Sequence, residues 1–151
     1  MKYLSIGIAI ALSCIFLLSP PTVTQVIAME PANMRSLIEQ AADAWIAGDG
    51  DTFAALFVPD GEFIVPGKRW VGQAEIRESV TLFALGSSDV KINIQRMLFD
   101  CDRAVVEWHW ENTEKATGLR YQADDAIAID FQQNRISRWR EYIDAQTPKL
   151  K

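Results

Sequence analysis

Apolar residues recur along this chain in two rhythms, helical in the first half and alternating in the second. Met34, Leu37, Ile38, Ala41 and Trp45 fall three and four apart, which places them on one face of a helix beginning near Pro31. Gly48 ends that run. Asp51 is expected to cap a short second helix with Phe53, Leu56 and Phe57 as its apolar residues, and Pro59-Asp60-Gly61 to turn the chain. A short extended piece from Glu62 to Val65 should end at Pro66-Gly67. A third helix is predicted from Gln73 to Leu85, with Ile76, Val80 and Phe83 inward.

After Gly86 the period becomes two. Val90, Ile92 and Ile94 alternate with Lys91, Asn93 and Gln95, the pattern of a half-buried strand. A turn at Asp100-Cys101-Asp102 leads to a second run, Ala104 to Asn112, in which Val106, Trp108 and Trp110 alternate with Glu107, His109 and Glu111. Two further strands are expected, Leu119 to Phe131 and Ile136 to about Asp144, separated by a turn at Gln133-Asn134. Three helices and a four-stranded meander predict an α+β fold with the helices on one face of an antiparallel sheet. A long sheet rolled around a helix makes a cone, and its open end is a natural ligand pocket.

The N-terminus reads differently. Lys2 precedes an uncharged run from Leu4 to Leu18, then Ser19-Pro20-Pro21 and a polar stretch ending Val26-Ile27-Ala28. That order matches a secretory signal, with Val26 and Ala28 suited to cleavage before Met29. The expected division is a signal over 1–28 and one domain over 29–151, exported to a periplasm or secreted. An uncleaved N-terminal anchor is the alternative, and a lipid-modified Cys14 fits the surrounding residues poorly. Loss of Cys14 would leave Cys101 as the sole thiol, so no internal disulfide is expected.

Composition narrows the partners. The 151 residues carry a net charge of −5 with 23% charged side chains, and there is no basic block. This argues against nucleic acid or an anionic membrane as the main partner. The single His109 among carboxylates gives no recognised metal-ligand spacing, and no phosphate-binding Gly-rich loop or Gly-x-Ser-x-Gly nucleophile motif occurs. No metal and no cofactor are expected.

Four segments resemble the NTF2-like superfamily and, within it, the SnoaL-like group of polyketide cyclases, ketosteroid isomerase relatives and limonene-1,2-epoxide hydrolase. They are Ala44-Trp45-Ile46-Ala47-Gly48-Asp49, Phe57-Val58-Pro59-Asp60-Gly61, Gly72-Gln73-Ala74-Glu75-Ile76 and the ending Asn134 to Asp144. The likeness spans the chain after the signal and implies the NTF2-like cone, three N-terminal helices packed on a curved antiparallel sheet. The ending Trp139-Arg140-Glu141-Tyr142-Ile143-Asp144 looks closest to the epoxide hydrolase, which implies that Asp144 faces the pocket. Counted back without gaps, the positions of that family's arginine and second aspartate fall on Trp108 and Trp110, and those of its water-holding pair on Phe63 and Val65. A lone carboxylate cannot both position a water and supply an acid, so epoxide hydrolysis by that mechanism is not expected.

The expected function is binding of a small hydrophobic molecule in an apolar pocket, with cofactor-free proton transfer of isomerase, cyclase or dehydratase type as its chemistry. Asp144 is the expected base or acid, with Tyr142 and Arg140 on its side of the strand. Asp124 is a candidate second carboxylate and His109 a candidate proton carrier, although a solvated charged face explains Glu107, His109 and Glu111 equally well. The expected pocket walls are Phe63, Val65, Trp108 and Trp110, with Ala126 and Ala128 leaving room for the ligand. Core packing or a dimer surface also accounts for the two tryptophans. The alternatives are a non-catalytic binding or dimerisation module, using a homodimer through the sheet, and a divergent epoxide hydrolase.

Overall fold

The computed structural model describes residues 29–145; the expected signal, Cys14 and the cleavage point lie outside them. Helix α1 (Pro31–Ala47) starts on a proline, whose fixed φ suits the first helical turn, and buries Met34, Ile38, Ala41, Ala42 and Ala44. It ends at Gly48, whose φ of 67° is left-handed and costs glycine little. Helix α2 (Gly50–Ala55) is capped by Asp49, not Asp51: its carboxylate accepts from the Thr52 backbone N–H at 3.0 Å. The helix also stops short of Phe57. That residue opens a strand because it pairs with Ile136, and the Ile136 N–H donates to the Leu56 carbonyl at 2.9 Å. Tertiary pairing here overrides the helical spacing of Phe53, Leu56 and Phe57.

Strand β1 (Phe57–Val65) absorbs Pro59-Asp60-Gly61 as an irregularity, with its register shifting between Phe57 and Glu62, so the expected turn is a bulge-like break in a longer strand. Pro66-Gly67 then turns into β2 (Lys68–Val71), a strand that the sequence pattern did not reveal, which pairs antiparallel and sets Trp70 opposite Phe63. Helix α3 (Gln73–Gly86) follows. The remaining strands are β3 (Ser87–Asp100), β4 (Arg103–Glu114), β5 (Arg120–Gln132) and β6 (Arg135–Asp144). They form the expected antiparallel meander, and β1 joins it parallel to β6, giving the order β2-β1-β6-β5-β4-β3. The result is an α+β fold of three helices on a curved, unclosed six-stranded sheet, the NTF2-like cone.

One sheet face supplies the core. Val106, Ile127, Ile129, Ile136 and Trp139 pack there with Phe53, Phe57 and Phe63 beneath the helices, nearly all without exposed surface. Each such side chain contributes about 1.5–3 kcal/mol by leaving water. Trp139 closes the floor, 6.0 Å from Phe53 and 5.6 Å from Trp108 between ring centroids. The alternation of strand side chains then fixes which residues share this face: Trp108 and Trp110 on β4, Asp125 and Ile127 on β5, Trp139 and Glu141 on β6.

Candidate functional site in the mouth of the cone

The core does not fill the wide end of the cone. A cavity of about 700 Å³ remains between α1, α3, the β1–β2 hairpin and the inner sheet face. Its walls are aromatic. Trp45 stacks on Phe83 at 5.2 Å and meets Phe63 edge-on at 5.6 Å, while Trp70 stacks on Phe63 at 5.2 Å. Trp108, Trp110 and Val65 complete the apolar lining. Such a surface binds flat or branched hydrocarbon by area and dispersion, and a few polar groups must then fix its orientation.

Those groups are two carboxyls. Asp125 is 6% exposed, and its Oδ2 accepts from the Trp108 indole N–H at 2.8 Å. Its Oδ1 is buried with no protein hydrogen-bond partner, an arrangement that costs free energy unless another group meets it. Burial pushes the Asp125 carboxyl above the usual aspartate range; the Trp108 bond opposes this, and the nearby Asp124 charge adds to it. Glu141 accepts from the Trp139 indole N–H at 2.8 Å. Although the residue as a whole is half-buried, desolvation of its carboxyl dominates and pushes it up to about 8, against the Trp139 bond and with a smaller push from Asp125. Asp125 pairs with Ile143 and Glu141 with Ile127, so the two acids are diagonal neighbours across β5 and β6 on the cavity side. Lys68 also lines the cavity, as do Ser79, whose hydroxyl donates to the Ile76 carbonyl at 2.7 Å, and Trp45, Trp70 and Trp110, each with an indole N–H donor.

The family model for the SnoaL-like domain matches residues 38–139. The chain belongs to the SnoaL-like family. Solved structures agree on the fold. A protein with a ketosteroid isomerase-like fold from Catenulispora acidiphila, in complex with trimethylamine, is 17% identical with a TM-score of 0.67, covering 70% of this chain and 83% of its own. An LEH-like epoxide hydrolase from M. tuberculosis is 20% identical with a TM-score of 0.66, covering 75% and 84%. An NTF2-like protein from Burkholderia xenovorans is 22% identical with a TM-score of 0.63, covering 78% and 93%. No curated protein sequence matches significantly.

Within this SnoaL-like cone, Phe63, Val65, Trp108 and Trp110 all line the cavity. The five side chains expected to carry proton transfer do not. Arg140, Tyr142 and Asp144 share the outer side of β6, Asp124 the outer side of β5 and His109 the outer side of β4. There His109 lies between two carboxylates, with Nδ1 2.9 Å from Asp124 and Nε2 3.1 Å from Glu111, whose other oxygen pairs with Arg120. Ala126 and Ala128 are also on the outer face and leave no room in the pocket, because the buried partners Asp125, Ile127 and Ile129 take the inner positions. Asp125 and Glu141 had a readable signal. Asp125 shares parity with Ile127, Ile129 and Phe131, and Glu141 with Trp139, so each belongs to the apolar set of its strand.

Proposed function

We propose that this SnoaL-like protein binds a small hydrophobic molecule bearing a carbonyl group and moves a proton between two of its carbons without a cofactor. The observation that carries the reading is the pairing of two unequal carboxyls in an aromatic cavity. Burial raises both carboxyls and an indole N–H opposes each rise, but the Glu141 shift is the larger: it is carried to about 8 and keeps its proton at neutral pH. Two titratable neighbours shifted to different extents divide into acid and base.

Asp125 takes the proton from the carbon beside the carbonyl. The electron pair moves onto the carbonyl oxygen, where the Glu141 O–H donates a hydrogen bond to the growing negative charge. In a β,γ-unsaturated ketone the carbonyl then re-forms, the double bond shifts into conjugation and its far carbon takes the same proton back from Asp125, so no atom or charge is gained overall. The aromatic walls hold the hydrocarbon in place and keep water from competing for the proton. The sequence pattern at residues 1–28 supports action outside the cytoplasm.

Had the cavity held no acid, with Asp124 and Asp144 both outside it, a binding module would be the better reading. Asp125 and Glu141 tip the balance toward an enzyme. The test is exchange of α-protons for deuterium in a hydrophobic ketone, followed by NMR. Wild-type protein should accelerate exchange, and Asp125→Asn should reduce it by about a hundredfold or more. Equal exchange by wild type and Asp125→Asn would refute the assignment and leave the binding module.

A further inference from the structure

Away from the cavity, Met29 meets the turn between β3 and β4. Its side chain joins the core at 8% exposure, and its backbone N–H donates to Asp102 Oδ1 at 2.7 Å. Both partners are held by their neighbours. The Asp102 carbonyl accepts from the Phe131 N–H at 2.9 Å, which ties the turn to β5, and the Glu30 carbonyl accepts from the Asn33 and Met34 N–H groups at 2.9 and 3.2 Å in the first turn of α1. What the half-buried Asp102 carboxylate lacks is a cation. Arg103 beside it turns to Asp130 at 3.2 Å, and among the described residues no lysine, arginine or histidine side chain pairs with Asp102. A carboxylate served by an amide N–H gains less than one that meets a positive charge.

The sequence pattern puts a signal-cleavage point directly before this residue. Hydrolysis of the Ala28–Met29 bond by a signal peptidase consumes one water and leaves a carboxylate on Ala28 and an α-ammonium on Met29. We infer that Asp102 is the acceptor of the mature N-terminus: removal of residues 1–28 turns the Met29 amide nitrogen into an ammonium that ion-pairs with this carboxylate and ties the start of α1 to the β3–β4 turn. The nitrogen already stands at ion-pair distance, so the chain need not rearrange. The pair cannot form in the precursor, and processing therefore adds stability only once the chain has been exported.

The test uses the full chain, exported with its own leader. Intact mass should show the loss of residues 1–28. Asp102→Asn keeps an oxygen for the N–H but no charge, and should lower the melting temperature of the processed protein by about 4 °C or more at pH 6. Inserting Ser-Gly between Ala28 and Met29 moves the ammonium away and restores the amide, a change that a chain terminus tolerates. With the insertion, the same substitution should lower the melting temperature by less than about 1 °C. An amine-reactive ester at pH 7 supplies a readout that does not need Asp102→Asn to fold: the Met29 amine should label roughly tenfold more slowly than the amine of the inserted serine. A mature chain that starts anywhere but Met29, an equal effect of Asp102→Asn with and without the insertion, or equal labelling would each overturn the inference. None of these outcomes bears on proton transfer in the cavity.

Discussion

Trp108 and Asp125 stand directly opposite each other on β4 and β5, and the indole N–H of one donates to the carboxylate of the other at 2.8 Å. The pair occupies the inner sheet face with nearly all of both side chains buried. Trp108 therefore does two things, forming cavity wall with its ring and stabilising the ionised form of its neighbour with its one polar atom. A phenylalanine could do only the first.

Trp108→Phe should accordingly raise the Asp125 pKa further. The bond lowers that pKa, so its loss removes an interaction made only to the charged form. A hydrogen bond to a charged group contributes about 1.5–3 kcal/mol, and the acid limb of the pH–rate profile for α-proton exchange should move upward by about one pH unit or more. An unmoved limb, with a folded variant, would mean that Asp125 is not the ionising base.

The inner and outer carboxylates should separate by mutation. Asp125→Asn is expected to lose exchange by about a hundredfold or more. Asp124→Asn and Asp144→Asn, whose side chains lie on the outer sheet face, should change it by less than about threefold. Comparing the three rates under one set of conditions is the check, and a large loss in Asp144→Asn would return the catalytic role to the end of β6.

The helices, the meander and most strand limits were legible because each long element keeps its period over many residues. What failed was parity at the site. Ala126 and Ala128 suggested an open concave face, yet small side chains are equally at home on the outer surface, and the bulkier Ile127 and Ile129 settle which side is core. Registering the chain end on a resemblance placed Asp144 inward, although Trp139, the largest apolar residue of β6, already assigns the inner face to its odd-numbered neighbour Glu141. Hairpin strand β2 leaves no period-two pattern, because only Trp70 and Val71 of its four residues are apolar, and its partner β1 begins at Phe57, within a helical spacing. No local pattern could signal the raised pKa of Glu141, which arises from long-range burial.

That burial has a consequence for stability. Between about pH 4.5 and 8 the Glu141 carboxyl is protonated in the folded protein and ionised in the unfolded chain, so the folded state holds the extra proton. Stability contributed by this group is intact at the acid end and is lost as pH rises toward 8, at up to about 1.4 kcal/mol per pH unit. Asp125, also raised, acts in the same direction. Urea unfolding at pH 5 and pH 8 should show wild type markedly weaker at pH 8. Glu141→Gln retains an amide oxygen for the Trp139 N–H and should flatten the difference; an identical pH dependence in both proteins would mean that Glu141 ionises normally in the fold.

The same two acids also bear on epoxide opening, which needs one group to activate water and another to protonate the epoxide oxygen. Asp125 and Glu141 supply a pair that Asp144 alone could not. The water itself is the obstacle. Phe63 and Val65, where the resemblance places the water-holding residues, both line the cavity and offer no hydrogen-bonding side-chain atom. Ser79 already donates its proton to the Ile76 carbonyl. A water beside Asp125 would therefore be poorly oriented for attack, and a millimolar panel of terpene epoxides is expected to yield no diol above the uncatalysed rate by gas chromatography. Diol formation that disappears in Asp125→Asn would show that the carboxylate holds the water unaided, and would make hydrolysis rather than proton shuttling the chemistry of this cavity.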